Sequence, residues 1–163
     1  MNEERIKNTI IFLLRFIILS IFIFPIVGFI DFSLLQSFLI KNLTVLLQFL
    51  GQDVYSDNGV LFVDETSFLI NRQCLSIEIM TFLACLIFAV HSMKMRYKIF
   101  GIIICLPLLW FMNIVRIINL IHIRLNFGIE IAQSLHNFFW QFAIIGFAVG
   151  LWSIWLFSMP KQK

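Results

Sequence analysis

The sequence predicts an all-α membrane protein: a polytopic helical bundle of about four transmembrane helices, with interfacial helices and a small outer β-hairpin. Apolar residues make up 61% of the 163-residue chain, whereas a soluble domain has about 45–50%. Charged residues make up 13%, about half the usual share. Lipid must therefore surround much of the chain, and we expect a single integral membrane domain over residues 1–163. The net charge of +3 is too small to indicate a nucleic-acid partner.

Four segments contain the roughly 20 mostly apolar residues that a membrane-spanning helix needs. They are Thr9–Ile30, Cys74–His91, Ile99 to about Ile117, and Asn137–Phe157. The first has a basic start but no small-residue cleavage site after it, so we expect a retained helix and not a signal peptide. The last carries the pattern Gly146-x-x-x-Gly150, which is typical of close helix packing.

The basic residues cluster beside the predicted spans, and this clustering predicts the orientation. With four spans, seven of the twelve basic residues fall on one side, which should be the cytoplasm, and six of the nine acids fall on the other. The basic groups precede span 1, fill the loop between spans 2 and 3, and follow span 4: Arg5, Lys7, Lys94, Arg96, Lys98, Lys161 and Lys163. We therefore expect a multi-pass protein of the cell (inner) membrane with cytoplasmic N- and C-termini.

Two connecting segments remain on the predicted outer side. Residues 32–50 form an apolar run with scattered polar residues, which predicts an interfacial helix, although this segment is also long enough to span. Residues 60–63 and 67–70 flank a turn-like Asp-Glu-Thr and predict a hairpin that leads into Cys74. Residues 118–135 are mixed in character and predict a short interfacial or re-entrant helix.

Three polar residues from distant stretches of chain meet at one predicted depth. Cys74 opens span 2, Arg116 closes span 3, and His136 precedes span 4, all on the outer side. A helix N-terminus favours a thiolate, and the thiolate is the nucleophilic form of cysteine. A neutral histidine accepts the thiol proton and later returns it to a leaving group. An arginine supplies fixed donors to a developing oxyanion. Together the three predict acyl transfer through a thioester.

Each of these residues also has an ordinary structural interpretation. Cys74 taken alone could be a packing residue, Arg116 a lipid-phosphate anchor and His136 an interfacial polar residue. Glu78 and Asn113 are secondary candidates: Glu78 could pair with an arginine, and Asn113 could bind substrate backbone or join helices. The cysteine and histidine spacings fit no metal motif, and we expect neither a metal nor a cofactor.

At these residues the chain resembles the exosortase/archaeosortase family. The resemblance lies in Cys74 within N-R-Q-C-L-S-I-E, in Asn113-Ile-Val-Arg116, and in His136 within S-L-H-N-F-F-W, and it covers about residues 60–157. The family implies a membrane-embedded cysteine protease or transpeptidase that cleaves C-terminal sorting signals of exported proteins. The implied partner is a C-terminal sorting tail with its own membrane anchor, and the implied acceptor is water or a surface glycan or lipid.

One departure from the family pattern keeps other functions open. The family usually has a small residue and then Gly after the Cys, where this chain has Leu75 and Ser76. The alternatives are a non-enzymatic membrane subunit or assembly factor of a surface protein or polysaccharide export system, and an exosortase-derived protein without activity. The sequence leaves open the sorting motif, the acceptor and the oligomeric state.

Overall fold

The computed structural model describes residues 3–159, and within them the predicted helical membrane fold is confirmed. The basic residues Lys161 and Lys163, which the orientation argument used, lie outside the described part. The helices are α1 (Glu3–Phe29), α2 (Ser33–Phe49), α3 (Ile77–Ala89), α4 (Met95–Phe127), α5 (Ile129–Ser134) and α6 (Gln141–Ser158). The strands are β1 (Val54–Asp57), β2 (Val60–Val63) and β3 (Thr66–Leu69).

Three helices, α1, α4 and α6, are long and apolar enough to cross a membrane. The predicted second span is instead α3, which has 13 residues and begins at Ile77 and not at Cys74. At 1.5 Å per residue α3 is about 20 Å long, shorter than the roughly 30 Å of a bilayer's hydrocarbon core. The helix α2 is also apolar but has only 17 residues.

The third predicted span is longer than expected. The helix α4 has 33 residues and continues to Phe127, beyond the predicted end near Ile117. Arg96 and Lys98, predicted for a loop, lie in the first turn of α4. Lys98 is buried, and its Nζ donates a hydrogen bond of 2.8 Å to the carbonyl of Phe88 in α3, where an ammonium satisfies a carbonyl at a helix end.

The chain forms two compact units. The first, the helix unit, contains α1, α3, α4 up to Leu109 and α6 from Ile145. Its α1 contacts α6 through Phe12 and Trp152, whose ring centroids are 5.7 Å apart. The indole of Trp155 in α6 donates to the carbonyl of Tyr97 at 3.2 Å. These contacts between apolar helices are those expected of a bundle in lipid.

The second unit, the sheet unit, contains residues 31–77 and 110–144. Its antiparallel sheet has the order β1-β2-β3, so the predicted hairpin is present with one further strand. The sequence analysis missed β1, although Asn58-Gly59 with φ of 46° and 83° is a strong hairpin-turn signal. One face of the sheet is buried and carries residues Val54, Leu61, Val63 and Phe68.

The helix α2 packs beside the sheet of the same unit. Its buried residues are Leu39, Ile40, Leu43 and Leu47, which share one helical face. Two of its polar residues hold the strands: Gln48 donates to the carbonyl of Val54 at 2.9 Å and Gln36 to that of Ile70 at 2.5 Å. This apolar core and these two hydrogen bonds fix the segment that leads to Cys74.

Candidate functional site

Cys74 lies in a single 3₁₀ turn, Arg72–Leu75, which we call the Cys turn. Asn71 caps this turn, and its Oδ1 accepts hydrogen bonds from the backbone N–H of Cys74 at 3.3 Å and from the Cys74 thiol at 3.5 Å. Such a cap satisfies a backbone donor that the short turn leaves unpaired. The side chain of Cys74 is half-buried, whereas Cys85 and Cys105 are buried. Cys74 is therefore the most accessible of the three thiols.

The residue two places after Cys74 has an unusual backbone conformation. Ser76 ends the Cys turn with φ 53° and ψ 30°, a left-handed conformation that favours glycine. This is the position at which the resemblance leads one to expect Gly. The hydroxyl of Ser76 is buried and donates to Oδ1 of Asn113 at 2.7 Å. Ser76 thus adopts a backbone conformation that favours glycine, and its hydroxyl has a hydrogen-bond acceptor in Asn113.

Asn113 and Arg116 approach the Cys turn from α4. Asn113 is fully buried, and its Nδ2 donates to the carbonyl of Cys74 at 2.7 Å. Arg116 is 7% exposed and lies three residues further along, on the same helical face. The helix continues for three more turns beyond Arg116, so the predicted position of Arg116 at a helix end was wrong, although its position near Cys74 is as expected.

His136 reaches the site from a different element. Gly128, with φ 87° and ψ 173°, separates α4 from α5, and a π-helical turn, Leu135–Trp140, then joins α5 to α6. His136 lies in this turn and is half-buried. It therefore precedes the last helix, as expected, but the sequence analysis did not foresee the π-helical turn that carries it.

Cys74, Arg116 and His136 line one cleft of about 360 Å³. The cleft has an apolar wall from the end of the sheet and from α4, comprising Phe68, Ile70, Ile117, Leu120 and Ile121. Its charged residues are Arg116 and Arg124, and no Asp or Glu is among the described residues that line it. The cleft therefore combines a thiol and an imidazole with an excess of positive charge and a surface for apolar side chains.

Two nitrogen atoms of the Arg116 guanidinium have no hydrogen-bond partner in the described part of the chain. These atoms, Nε and Nη2, are buried. Leaving a buried donor unsatisfied costs about 1–3 kcal/mol, and more for a charged group. Natural proteins rarely keep such groups without a role. In a cleft beside a thiol, donors of this kind suit an oxyanion.

His136 has an altered affinity for protons. Partial burial, and then the positive charge of Arg116, hold the pKa of His136 below its usual range. Both effects disfavour the imidazolium. The imidazole is therefore neutral at pH 7, the state that can accept a proton from a thiol.

The comparison with known families gives a match over most of the chain. A model of the family described as transmembrane exosortase (Exosortase_EpsH) matches residues 6–156, which is most of the chain. The chain belongs to the transmembrane exosortase family. No match was found among curated proteins or among solved structures. The family is generally described as one of transpeptidases and proteases, and membership supports a membrane-embedded function in protein sorting.

The sequence analysis missed part of what surrounds Cys74. Asn71 and Asn113 both hydrogen-bond Cys74, yet the sequence analysis gave Asn71 no role and left that of Asn113 open. An asparagine immediately before a helical turn is a capping signal, so Asn71 was detectable. In the described part of the chain, His, Cys, Asp and Glu side chains form no group of three or more that could hold a metal ion.

Proposed function

We propose that this exosortase-family protein is a membrane-embedded cysteine protease or transpeptidase that cleaves C-terminal sorting signals of exported proteins. The observation that carries the proposal is the buried guanidinium of Arg116, whose Nε and Nη2 atoms have no hydrogen-bond partner among the described residues, in the cleft that Cys74 and His136 also line. A thiol, a neutral imidazole and a free cationic donor are the three groups that acyl transfer requires.

The first half of the reaction forms a thioester. His136 accepts the thiol proton of Cys74, and the sulfur attacks the peptide carbonyl carbon, so an S–C bond forms and the carbonyl oxygen becomes negative. Arg116 donates hydrogen bonds to this oxygen. The C–N bond then breaks, and the imidazolium of His136 gives its proton to the leaving amine. The products are a thioester on Cys74 and a released C-terminal fragment with a new amino terminus.

The second half releases the acyl group. An acceptor O–H or N–H gives its proton to His136 and attacks the thioester carbon, and the S–C bond breaks with return of the proton to the sulfur. Water as acceptor gives hydrolysis, and an amine or hydroxyl of a surface lipid or glycan gives transpeptidation. The apolar wall of the cleft accommodates apolar side chains near the scissile bond, in keeping with a substrate that enters from lipid.

The test replaces the nucleophile and a matched buried cysteine. Cys74→Ala should abolish cleavage of an exported protein from the same genome that carries a C-terminal membrane helix. The two proteins are co-expressed, and cleavage is measured from the mass of the exported protein that accumulates. Cys105→Ala makes the same change at a buried thiol of the helix unit and should cleave normally. Normal cleavage by a stably accumulating Cys74→Ala variant would exclude the mechanism.

Thiol labelling separates the enzyme from a non-enzymatic subunit. In a protein that retains Cys74 as its single cysteine, a membrane-impermeant maleimide should label the thiol quickly, and His136→Ala should slow the labelling. A Cys74 thiol that reacts no faster than an ordinary exposed thiol, with no effect of His136→Ala, would favour the subunit.

A further inference from the structure

Asn113 holds the Cys turn through two hydrogen bonds and stays outside the cleft. We propose that Asn113 is a positioning residue that, together with Ser76, fixes the Cys74 nucleophile in register with Arg116. The inference rests on the proposed role of Cys74 as the nucleophile. Asn113 is fully buried and is not among the residues that line the cleft, so it acts through Cys74 and does not touch substrate.

The two hydrogen bonds use both ends of the Asn113 amide. Its Nδ2 donates to the carbonyl of Cys74 at 2.7 Å, and its Oδ1 accepts from the hydroxyl of Ser76 at 2.7 Å. The two partners, Cys74 and Ser76, flank Leu75 at the end of the Cys turn. The amide therefore clamps the backbone on either side of Leu75, and that side chain is itself buried with 1% exposure.

The clamp offsets a strained backbone. Ser76 has a positive φ of 53°, which is unfavourable for a residue with a Cβ. Residues in such conformations persist when surrounding contacts over-determine them. The hydrogen bond from the Ser76 hydroxyl to Asn113 is such a contact, since both groups are buried. Without this hydrogen bond, the backbone conformation that orients Cys74 is less favoured.

The position of Asn113 on α4 links the nucleophile to the oxyanion donor. Asn113 and Arg116 are three residues apart on one helix, which puts them on one face. Both lie with Cys74 in the sheet unit. Because the Cys74 carbonyl is tied to Asn113, the same helical turn sets where the thiol and the guanidinium stand relative to each other. Misplacement of reacting groups by about 1 Å can cost about 100-fold in rate.

The main experiment compares Asn113→Ala with Asn119→Ala. Asn119 lies on the same helix, is exposed, and makes a local hydrogen bond to the carbonyl of Val115. In the cleavage assay, Asn113→Ala should lower kcat about 10–100-fold with little change in KM, whereas Asn119→Ala should behave as the unmodified protein. A kcat within twofold of the unmodified protein for Asn113→Ala would overturn the proposal.

A rescue experiment separates positioning from general stability. Ser76→Gly removes the strain of positive φ together with the buried hydroxyl, so the double variant Ser76→Gly/Asn113→Ala should recover kcat at least threefold over Asn113→Ala alone. A merely structural role would lower the melting temperature in micelles and leave kcat per folded molecule unchanged. The proposal would also be overturned if the double variant showed no rescue and the measured activity fell only in proportion to the folded fraction.

A further variant covers the case in which Asn113→Ala fails to accumulate. Ser76→Ala keeps Asn113 and the strained backbone but removes the hydroxyl tether, and kcat should fall about 3–10-fold and return with Ser76→Gly. Equal activity of Ser76→Ala and the unmodified protein contradicts the proposal. In parallel, the alkylation rate of Cys74 as the single cysteine should change in both Asn113→Ala and Ser76→Ala. This measurement does not depend on catalysis, so it still tests how Cys74 is positioned if Cys74→Ala shows that Cys74 is not the nucleophile.

Discussion

The imidazole of His136 lies in the same cleft as the guanidinium of Arg116. Partial burial and the charge of Arg116 both lower the pKa of His136, and the neutral ring is the form that serves as a base. At the same time the unpaired N–H groups of Arg116 would bind an anion formed in the cleft. In the proposed mechanism, single residues therefore divide the chemistry: His136 accepts the proton while Arg116 stabilises the negative charge.

The pH dependence of cleavage should follow from this arrangement. Because the pKa of His136 in the folded protein is below its usual range, the acid-side fall in kcat/KM should be centred at a lower pH than an ordinary histidine would give. The fall occurs as the imidazole becomes protonated. A profile that falls at or above the usual histidine pKa would contradict the assignment of His136 as the base.

The contribution of Arg116 to this shift can be measured without activity. Arg116→Gln removes the positive charge, so the pKa of His136 should rise, though only partly, since burial is the larger cause. Histidine-selective NMR in micelles can follow this, with the signal assigned through His136→Gln. Arg124→Gln removes another arginine charge of the same cleft and should have no comparable effect.

At the scale of elements, short connections place Cys74 and His136, whereas the long helix α4 carries Asn113 and Arg116. The Cys turn orients Cys74, and the break at Gly128 followed by the π-helical turn brings His136 back to the cleft. By contrast, a Cβ on Gly146 or Gly150 would meet nothing within 4 Å in the described structure, whereas one on Gly101 would lie 2.6 Å from the indole of Trp155. Close packing between helices occurs at Gly101 and not at the GxxxG pattern.

Gly128 offers a test at the scale of elements. Its φ of 87° and ψ of 173° fall in a region that is essentially restricted to glycine. Gly128→Ala should lower the free energy of unfolding by about 1–3 kcal/mol and reduce cleavage by displacing the turn that carries His136. Urea unfolding in micelles measures the first effect and the cleavage assay the second.

Gly146→Ala is the matched control for this change. Gly146 lies within α6, and the space for its Cβ is open, so the variant should be as stable as the unmodified protein or more stable by up to about 1 kcal/mol. Equal stability of Gly128→Ala and Gly146→Ala would show that the break at Gly128 imposes no strain.

At the scale of the whole molecule, the apolar composition and three long apolar helices establish a membrane protein. Many large apolar side chains of α1 are exposed in the chain itself, as expected where lipid is the solvent. The cytoplasmic position of the termini stays a prediction from the basic residues, as does the single domain.

Single-cysteine labelling tests the orientation. In a background without the three native cysteines, Asp57→Cys at the exposed tip of the sheet should react with an impermeant maleimide in intact cells. Lys94→Cys, at an exposed basic position before α4, should react only after the membrane is opened. Labelling of both positions from the same side would contradict the predicted orientation.

Composition and local pattern determined what kind of protein this is. They predicted the membrane fold, the apolar helices, one hairpin and the residues Cys74, Arg116 and His136, because hydropathy and residue chemistry are properties of short stretches of chain. The end of α4 and the π-helical turn were missed, since the lengths and joints of elements depend on contacts with distant segments. The strand β1 was missed although its Asn58-Gly59 turn is a local signal. The amide of Asn113 pairs with residues 37 and 39 positions earlier in the chain. Only the tertiary structure brings those groups together, and so only it could show how the Cys turn is held.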